Sequence, residues 1–371
     1  MIFNFETLRM AWHDESLGKR ELPNQQRYRY NLEENLYGLS ERLQSGSFQP
    51  TRLRVKQIYY PKRRQAQVPS QEDKIVQHAI SDTCAYFPMV APLIREATAN
   101  TRGRGTDYAV DRLRKDLRSF WLKHRRPPYI LKADIHSFFA SIPHDRVLKL
   151  IGRYIEDPDV AEIMRRFVAL TPRGLPLGLQ QSQLLANLYL SEMDHRLKER
   201  LRVAYYGRHM DDFYVLCRTR DEAEHILAWV RDYVESIGLE LNPKTAVLYR
   251  SFDYLGFRFT VSNTGKIIVR VARGKIQSKR RHLRKLVHQL SAGEITPEQM
   301  EAAYFGWRQH ATKAKNARTQ VLNMDAYLDG KLRAAGYRLI IHHHLKTKGK
   351  IKWRVQIAPE GDPTCQEPLQ T

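Results

Sequence analysis

Three aspartates have the sequence context of a site for phosphoryl transfer. Asp134 follows the apolar run YILKA, which predicts a strand, and Asp211 and Asp212 lie at a predicted tight turn between two further strands. Carboxylates that converge from separate strand ends can hold Mg²⁺, which takes one or two protein carboxylates and completes its shell with substrate phosphates. Two such ions can stabilise the attacking and leaving oxygens of an in-line displacement. An Asp-Asp pair is also an ordinary turn dipeptide, so these residues alone leave a structural interpretation open.

The charge balance predicts a polyanionic partner. The 371 residues include 62 Lys and Arg against 40 Asp and Glu, which gives a net charge of +22. Nucleic acid and an anionic membrane surface are the two candidates. A membrane binder would concentrate its charge on one amphipathic helix or tail, whereas the basic residues recur along this whole chain among 19 Tyr, 13 Phe and 5 Trp. We therefore expect a nucleic-acid partner and no membrane.

Cysteine usage and the N-terminus predict a reduced, cytoplasmic protein. Cys84, Cys217 and Cys365 are an odd number without a close pair, so neither a zinc knuckle nor a disulfide framework is indicated. The N-terminus carries acids early and lacks the basic-then-apolar order of a signal peptide. No uncharged apolar run is long enough to cross a bilayer.

Local patterns predict the elements that must position the aspartates. In the first part of the chain the predicted elements are a mainly helical segment at 1–50, a basic strand and turn at 52–68, a helix capped by Ser70 and a turn onto a helix at 99–110. The middle part has a Leu- and Ala-rich helix at about 180–200, two strands at 202–217 and a helix ended by Gly238. Basic helices follow after about 270, with a helix start at Thr296, and a basic hairpin begins at 337. An apolar stripe marks the first basic helix, formed by Leu283, Leu286, Val287 and Leu290.

Seven segments in a fixed order resemble the reverse transcriptase family. YYGRHMDDFYVL resembles the family's YxDD box, with His209 where tyrosine is usual, and LKADIHSFFASIPHDRVL resembles its first palm motif. VPSQEDKIVQHAI and TRGRGTDYAV resemble segments of the fingers, and GLPLGLQQSQLLANLYLSEMD resembles the helix under the nascent base pair. LELNPKT and FDYLGFRF resemble the two elements after the catalytic box. Together they cover roughly residues 50–260 and favour the polymerase interpretation of the aspartates.

The resemblance implies an α+β right-hand polymerase with fingers, an antiparallel palm sheet and a helical thumb. The implied segments are an N-terminal helical extension (1–50), fingers (51–128), palm (129–265), thumb (266–336) and a basic C-terminal hairpin and tail (337–371). The implied reaction is RNA-directed DNA synthesis, in which a primer 3′-OH attacks the α-phosphate of a dNTP. The implied cofactor is a pair of Mg²⁺ ions, for which Mn²⁺ can substitute.

Catalytic roles follow from the resemblance position by position. Asp134 and Asp211 would be the principal metal ligands, with Asp212 in support. Lys244, in LELNPKT, falls on a lysine that protonates the leaving pyrophosphate as a general acid. An exposed lysine after a turn is the alternative.

Nucleotide-binding roles are implied for residues of the fingers and palm. Lys62 and Arg64 fall on basic positions that clamp the triphosphate, and the neighbouring Arg63 leaves that register open by one residue. Phe139, five positions after Asp134, falls on the aromatic gate that excludes a ribose 2′-OH; packing beside Phe138 is the alternative.

The loop and helix at 174–200 carry further implied contacts. Gly178 would let the backbone approach the nucleotide closely, and Ser182 and Gln183 would face the primer–template pair or the dNTP. For His209, a neutral packing role is favoured over a pH-sensing one.

The C-terminal third is implied to grip nucleic acid. Arg280, Arg281, Arg284 and Lys285 surround the apolar stripe of a predicted thumb helix, and YFGWRQHA resembles a thumb segment whose alternative is a core helix. The run at 342–344 is three histidines on a predicted strand, where alternate side chains point to opposite faces. A solvated or RNA-facing strand is therefore favoured over a metal site.

The biological setting is predicted from two variants of the motifs. Ser182–Gln183 stands where group II intron enzymes have S-P, and with the G-x-G-T turn it resembles the enzymes of diversity-generating retroelements. The expected partners are a structured noncoding or template-repeat RNA, a DNA primer or product, dNTPs, and an accessory protein or a second copy of the chain. The alternatives are an antiviral defence enzyme that copies a noncoding RNA, and an inactive RNA-binding scaffold.

Overall fold

A computed structural model describes residues 2–19, 22–58, 64–347 and 350–361. The chain divides into two compact units, the first comprising Met1–Phe120 and Pro128–Leu248, the second Trp121–Pro127 and Tyr249–Thr371. The five segments predicted from the sequence are finer than these units, and their bounds stay predictions. Across the described ranges, every helix is either too short or too polar to cross a bilayer.

The first unit begins with the helices predicted for its N-terminal segment. These are α1 (Phe5–Ser16), α2 (Pro23–Tyr30) and α3 (Leu32–Gln44), followed by the antiparallel strands β1 (Arg54–Ile58) and β2 (Arg64–Val68) and the helix α4 (Gln71–Ile80). The Ser70 hydroxyl accepts from the N–H of Asp73 at 3.1 Å, and the Asp73 carboxylate accepts from the N–H of Ser70 at 3.2 Å. This reciprocal pair confirms the predicted cap.

The rest of the first unit surrounds one sheet. Its elements are a π-helical turn (Ser81–Ala85), α5 (Tyr86–Val90), α6 (Thr106–His124), β3 (Tyr129–Ala133), α7 (Phe138–Ser141), α8 (His144–Tyr154), α9 (Pro158–Val168), α10 (Gln180–Tyr189), α11 (Ser191–His195), a second π-helical turn (Arg196–Arg200), β4 (Tyr206–His209), β5 (Asp212–Cys217), α12 (Arg220–Ser236) and β6 (Ala246–Tyr249). Gly238 follows α12 with φ +77°, which confirms the predicted stop.

The helix predicted at about 180–200 is present as three consecutive pieces, α10, α11 and a π-helical turn, with a break at Leu190 that was not predicted. Two side chains of α11, next to this break, contact a distant part of the chain. The Ser191 hydroxyl donates to the carbonyl of Pro92 at 2.9 Å, and the ring of His195 contacts the same carbonyl at 2.9 Å. Two side chains thus converge on one acceptor outside the helix, a contact that helical periodicity does not encode.

The central sheet has the order β4-β5-β3-β6. β5 pairs antiparallel with β4 on one side and with β3 on the other. Inward-facing Leu131, Phe213 and Val215 are buried and belong to one continuous core with the helices. The sheet is therefore a rigid platform whose strand ends can hold side chains in fixed positions.

The second unit has its own core. Its elements are the antiparallel strands β7 (Ser251–Tyr254), β8 (Phe257–Val261) and β9 (Ile267–Val271), the helices α13 (Arg273–Ser291), α14 (Pro297–Thr312) and α15 (Arg318–Arg333), and the hairpin of β10 (Tyr337–Thr347) and β11 (Lys350–Pro359). Leu283, Val287 and Leu290 are buried, which confirms the predicted stripe. Thr296 caps α14 together with Gln299, also as predicted.

Candidate active site

A two-residue turn between β4 and β5 carries Asp211. His209 pairs with Asp212 across the hairpin, so Met210 and Asp211 form the connection. Met210 has φ +63°, a left-handed conformation that is uncommon for residues with a side chain. Tight hairpins need such backbone angles, and here the surrounding structure must hold Met210 in one. The predicted turn is confirmed.

The sheet register brings Asp134 to the same place. Ala133 pairs with Phe213 across β3 and β5, so the next residue, Asp134, leaves the sheet beside Asp212. Asn242 fixes Asp134 in two ways: its backbone N–H donates to the Asp134 carbonyl at 2.8 Å, and its side-chain amide donates to the carboxylate at 3.3 Å. The three aspartates predicted from sequence therefore meet at one edge of the sheet.

The electrostatics of this cluster show an excess of negative charge. Burial raises the pKa of Asp211 to about 7, and repulsion from Asp134 and a hydrogen bond with its side chain add to the effect. Burial also raises the pKa of Asp212 to about 6, although Lys132 opposes the shift. Carboxylates that resist ionisation in this way would gain from a bound cation.

Lys132 is a member of the site that sequence reasoning missed. Its ammonium group makes an ion pair with the carboxylate of Asp212. Lys132 lies on β3 two residues before Asp134, which directly follows the strand. The signal available in the sequence was a basic residue two positions before Asp134. The carboxylate of Asp212 is therefore paired with Lys132, whereas the carboxyl groups of Asp134 and Asp211 interact with each other.

The donor set fits a metal that arrives with its substrate. Among the residues that the structure describes, no group of three or more His, Cys, Asp and Glu side chains is arranged to hold a metal ion by itself. Mg²⁺ ordinarily takes one or two protein carboxylates and draws its remaining ligands from phosphates and water. Asp134 and Asp211 supply two such carboxylates, and the raised pKa of Asp211 marks negative charge that a cation would neutralise.

A buried ion pair lies next to the turn formed by Met210 and Asp211. The side chains of Arg208 and Asp194 are both 0% exposed, and the guanidinium donates to both Asp194 oxygens, at 2.8 and 2.5 Å. The same guanidinium donates to the side chain of Asn187 at 2.8 Å and to the backbone carbonyl of Met210 at 2.9 Å. Arg208 thus ties the residue before Asp211 to α10 and α11.

The backbone of Arg208 is held as firmly as its side chain. Its carbonyl accepts from the N–H and the hydroxyl of Thr98, at 2.9 and 3.0 Å, and its N–H donates to the backbone carbonyl of Glu96 at 3.0 Å. The Thr98 hydroxyl also contacts Nδ1 of His209 at 2.9 Å. Burial, and then the charge of Arg208, lower the pKa of His209, which favours the neutral packing role predicted for it.

The remaining predicted residues of the palm lie on α7, on α10 and on the turn that follows Asn242. Phe139 is the second residue of α7 and is half-buried, with its ring 5.7 Å from that of Phe138. Lys244 is exposed on a turn, and its backbone N–H donates to the side chain of Asn242, the residue that holds Asp134. Gln183 is exposed on α10, whereas Ser182 is buried. Their roles toward a nucleotide stay predictions.

The predicted triphosphate clamp is only partly described. Lys62 lies outside the described residues. Arg64 opens β2 opposite Ile58, and its backbone alone is described.

The basic helix and the histidine run belong to the second unit. Arg280, Arg281, Arg284 and Lys285 are all exposed around α13. The guanidinium of Arg280 lies 4.9 Å from the ring of Tyr327. His342 contacts Gln356 on the paired strand at 2.8 Å, and the side chains of the other two histidines lie outside the described set.

Gly178 packs against the hairpin formed by β1 and β2. It has φ +105°, and a Cβ there would collide with the backbone carbonyl of Gln67 on β2. The side chain of Gln67 accepts from the N–H of Leu177 at 2.9 Å. Gly178 therefore allows a close backbone approach to β2, a contact that was not predicted, and its approach to a nucleotide stays a prediction.

Gly178→Ala should lower the free energy of unfolding by about 1–3 kcal/mol, because both the backbone angle and the contact with Gln67 exclude a Cβ. Urea unfolding measures this loss, and amide exchange of β1 and β2 should rise. Gly38→Ala, in α3 with open space around it, is the matched control and should be neutral or stabilising. Equal effects of the two changes would contradict the predicted contact.

Known proteins provide an independent comparison. A model of the family described as reverse transcriptase (RNA-dependent DNA polymerase) matches residues 59–259. Protein YkfC of Escherichia coli K12 is 25% identical over 177 residues, which are 44% of this chain and 45% of that protein. The retron Ec73 reverse transcriptase of Escherichia coli is 25% identical over 123 residues, 30% of this chain and 39% of that protein. The chain thus spans less than half the length of these curated relatives.

Solved structures of telomerase are also similar. Telomerase from Candida albicans, bound to a fragment of telomeric RNA, matches 79% of this chain and 65% of its own at 11% identity and a TM-score of 0.47. Apo telomerase from Candida tropicalis matches 77% of this chain and 58% of its own at 13% identity and a TM-score of 0.45.

The family match covers more than half of the 371 residues and includes all three aspartates. The antiparallel sheet with helices and the hairpin that carries Asp211 and Asp212 agree with the right-hand polymerase architecture that the sequence predicted. The chain belongs to the reverse transcriptase family.

Proposed function

We propose that this protein is an RNA-directed DNA polymerase that adds dNTPs to a primer at the edge of the β4-β5-β3 sheet. The observation that carries the proposal is the meeting of Asp134 and Asp211, whose mutual repulsion and burial raise the pKa of Asp211 to about 7. Such a pair is poised for divalent cations and suits phosphoryl transfer. The family match supports the same reaction.

In this proposal the chain's own residues hold and orient the reactants. Asp134 and Asp211 would bind Mg²⁺ with the nucleotide, with Asp212 in support, and the metal would supply charge stabilisation to the attacking and leaving oxygens. Asn242 orients Asp134 through two hydrogen bonds, and Lys132 holds Asp212. Lys244 would protonate the departing pyrophosphate, while Lys62 and Arg64 would neutralise the triphosphate.

The direct test is primer extension with purified protein, an RNA template, a DNA primer, Mg²⁺ and labelled dNTPs. We expect template-dependent DNA from the wild type and none from Asp211→Asn. Absence of product from intact protein on every primed template would contradict the proposal. Sequencing RNA that co-purifies from the native host separates a template repeat, expected of the diversity-generating retroelement we favour, from the noncoding RNA of a defence system.

Phe139→Ala should raise the preference for ribonucleotides over deoxynucleotides, measured as the ratio of their kcat/KM values, by at least about tenfold. The proposed reason is that the half-buried ring blocks the space of a 2′-OH. Phe139→Tyr keeps the ring and should keep the wild-type ratio. An unchanged ratio in the alanine variant would assign Phe139 to packing alone.

A further inference from the structure

We propose that His144 is a positioning residue for sugar selection, which holds Phe139 in place through the backbone of Gly174 and Leu175. This inference rests on the polymerase function, and on the gate role of Phe139, proposed above. His144 is the first residue of α8 and is half-buried. Its Nε2 lies 2.7 Å from the carbonyl oxygen of Gly174. Because a carbonyl oxygen only accepts, Nε2 carries the hydrogen of this bond.

The helix that carries Phe139 is a single turn and cannot fix its own position. α7 has four residues, and Ser137, which precedes it, has φ +46°, a left-handed angle that is uncommon for a residue with a side chain. The last four carbonyls of any helix have no acceptor role inside that helix, so every carbonyl of a four-residue helix needs a partner elsewhere. The position of Phe139 therefore depends on groups outside α7.

Two consecutive residues of the loop before α10 supply such groups. The N–H of Leu175 donates to the carbonyl of Phe139 at 2.7 Å, and the N–H of Gly174 donates to the carbonyl of Ile142 at 3.1 Å. Leu175 is 3% exposed, so its bond to Phe139 is shielded from water. These two bonds join the loop to α7 and to the residue that ends it.

Gly174 also packs directly on the backbone of the gate residue. It has φ +77°, and a Cβ at this position would come within 2.6 Å of backbone atoms of both Phe139 and Ala140. Glycine permits this approach because it has no Cβ and adopts positive φ readily. Since no free space separates the two backbones, a displacement of Gly174 is passed to the backbone that carries the Phe139 ring.

Two side chains anchor the carbonyl of Gly174. Besides His144, the hydroxyl of Thr171 donates to this carbonyl at 2.9 Å. His144 thus acts on Phe139 through hydrogen bonds of the backbone, and the imidazole needs no contact with a nucleotide. The net contribution of one such bond is equivalent to about a two- to tenfold change in an equilibrium constant. Loss of the imidazole should raise the population in which Phe139 is displaced by about that factor.

The test is primer extension that measures sugar discrimination, the ratio of kcat/KM for a dNTP to that for the matching rNTP. His144→Ala should lower this ratio by about two- to tenfold, because kcat/KM for the rNTP rises. A loss of folded protein alone would lower both kcat/KM values by one factor and leave the ratio unchanged. His225→Ala, at an exposed position of α12, is the matched control and should keep the wild-type ratio.

Two further variants test the bond to Gly174 rather than the presence of a ring. His144→Gln places an N–H donor at the corresponding ε position and should restore a ratio near that of the wild type. Thr171→Val removes the second donor at nearly constant volume and should lower the ratio as His144→Ala does. In metal-free protein without nucleotide, amide exchange of Leu175 should be faster in His144→Ala and unchanged in His144→Gln.

A double variant shows whether His144 acts through Phe139. His144→Ala/Phe139→Ala should have the same ratio as Phe139→Ala, because the ring that His144 positions is then absent. Multiplied effects of the two changes, or an unchanged ratio in His144→Ala while the wild type makes DNA, would overturn this inference and leave the polymerase proposal intact. Absence of DNA from the wild type on every primed template would overturn both.

Discussion

Asp211→Asn should lower the rate of nucleotide addition by about 10³-fold or more and should also stabilise the metal-free protein. Both effects have one cause. Burial and repulsion from Asp134 hold the pKa of Asp211 at about 7 in the folded state, against an ordinary value near 3.8. The ionised carboxylate of Asp211, which a metal–nucleotide complex would bind, therefore destabilises the metal-free protein.

The sign of the pH dependence follows from that shift. The folded state binds the Asp211 proton more tightly than the unfolded chain does, so stability falls as pH rises from about 4 to about 7. The Asn variant lacks this loss. Its unfolding temperature should exceed that of the wild type at pH 8, and the difference should vanish near pH 4.

Thermal unfolding in metal-free buffer between pH 4 and pH 8 measures the effect. Added Mg²⁺ should raise the unfolding temperature of the wild type more than that of the variant, because it stabilises the state that binds it. Asp232→Asn, at an exposed position of α12, is the control and should match the wild type in every arm. A variant that is no more stable than the wild type at pH 8 would contradict the electrostatic account.

Arg208→Met should lower the free energy of unfolding by about 3–5 kcal/mol, because it leaves the fully buried carboxylate of Asp194 without a counter-charge. Urea unfolding measures the loss. Arg9→Met removes an exposed ion pair with Glu6 and should cost less than about 1 kcal/mol. Equal losses of unfolding free energy at the two sites would show that burial does not determine how much the ion pair contributes to stability.

A double variant separates the structural role of Arg208 from its role at the turn. Arg208→Met with Asp194→Asn removes both charges and keeps an acceptor for the Tyr206 hydroxyl, which donates to Asp194 at 2.5 Å. Stability should return in part. The Met210 carbonyl still lacks its donor, so kcat should stay low while the KM for dNTP changes little. Recovery of kcat together with stability would mean that Arg208 only stabilises the fold.

Signals that act over a few residues were read correctly from the sequence. Each of these signals depends on side chains and backbone angles within three or four positions. They are the helix caps at Ser70 and Thr296, the helix stop at Gly238 and the turn at Met210 and Asp211. The break at Leu190 within the helix at about 180–200 was not predicted, and neither was the contact of Ser191 and His195 with the carbonyl of Pro92, a hundred residues away.

The sequence by itself determined the family and the three aspartates, because motif order and residue type survive without coordinates. Only the tertiary structure decided which charges meet. It paired Lys132 with Asp212, placed Arg208 between Asp194 and the Met210 carbonyl, and set Arg102 over Tyr86 and Phe87. Local patterns report whether a residue faces the core or solvent, whereas the partner of a buried charge depends on sheet register and helix packing, which join residues distant in the chain.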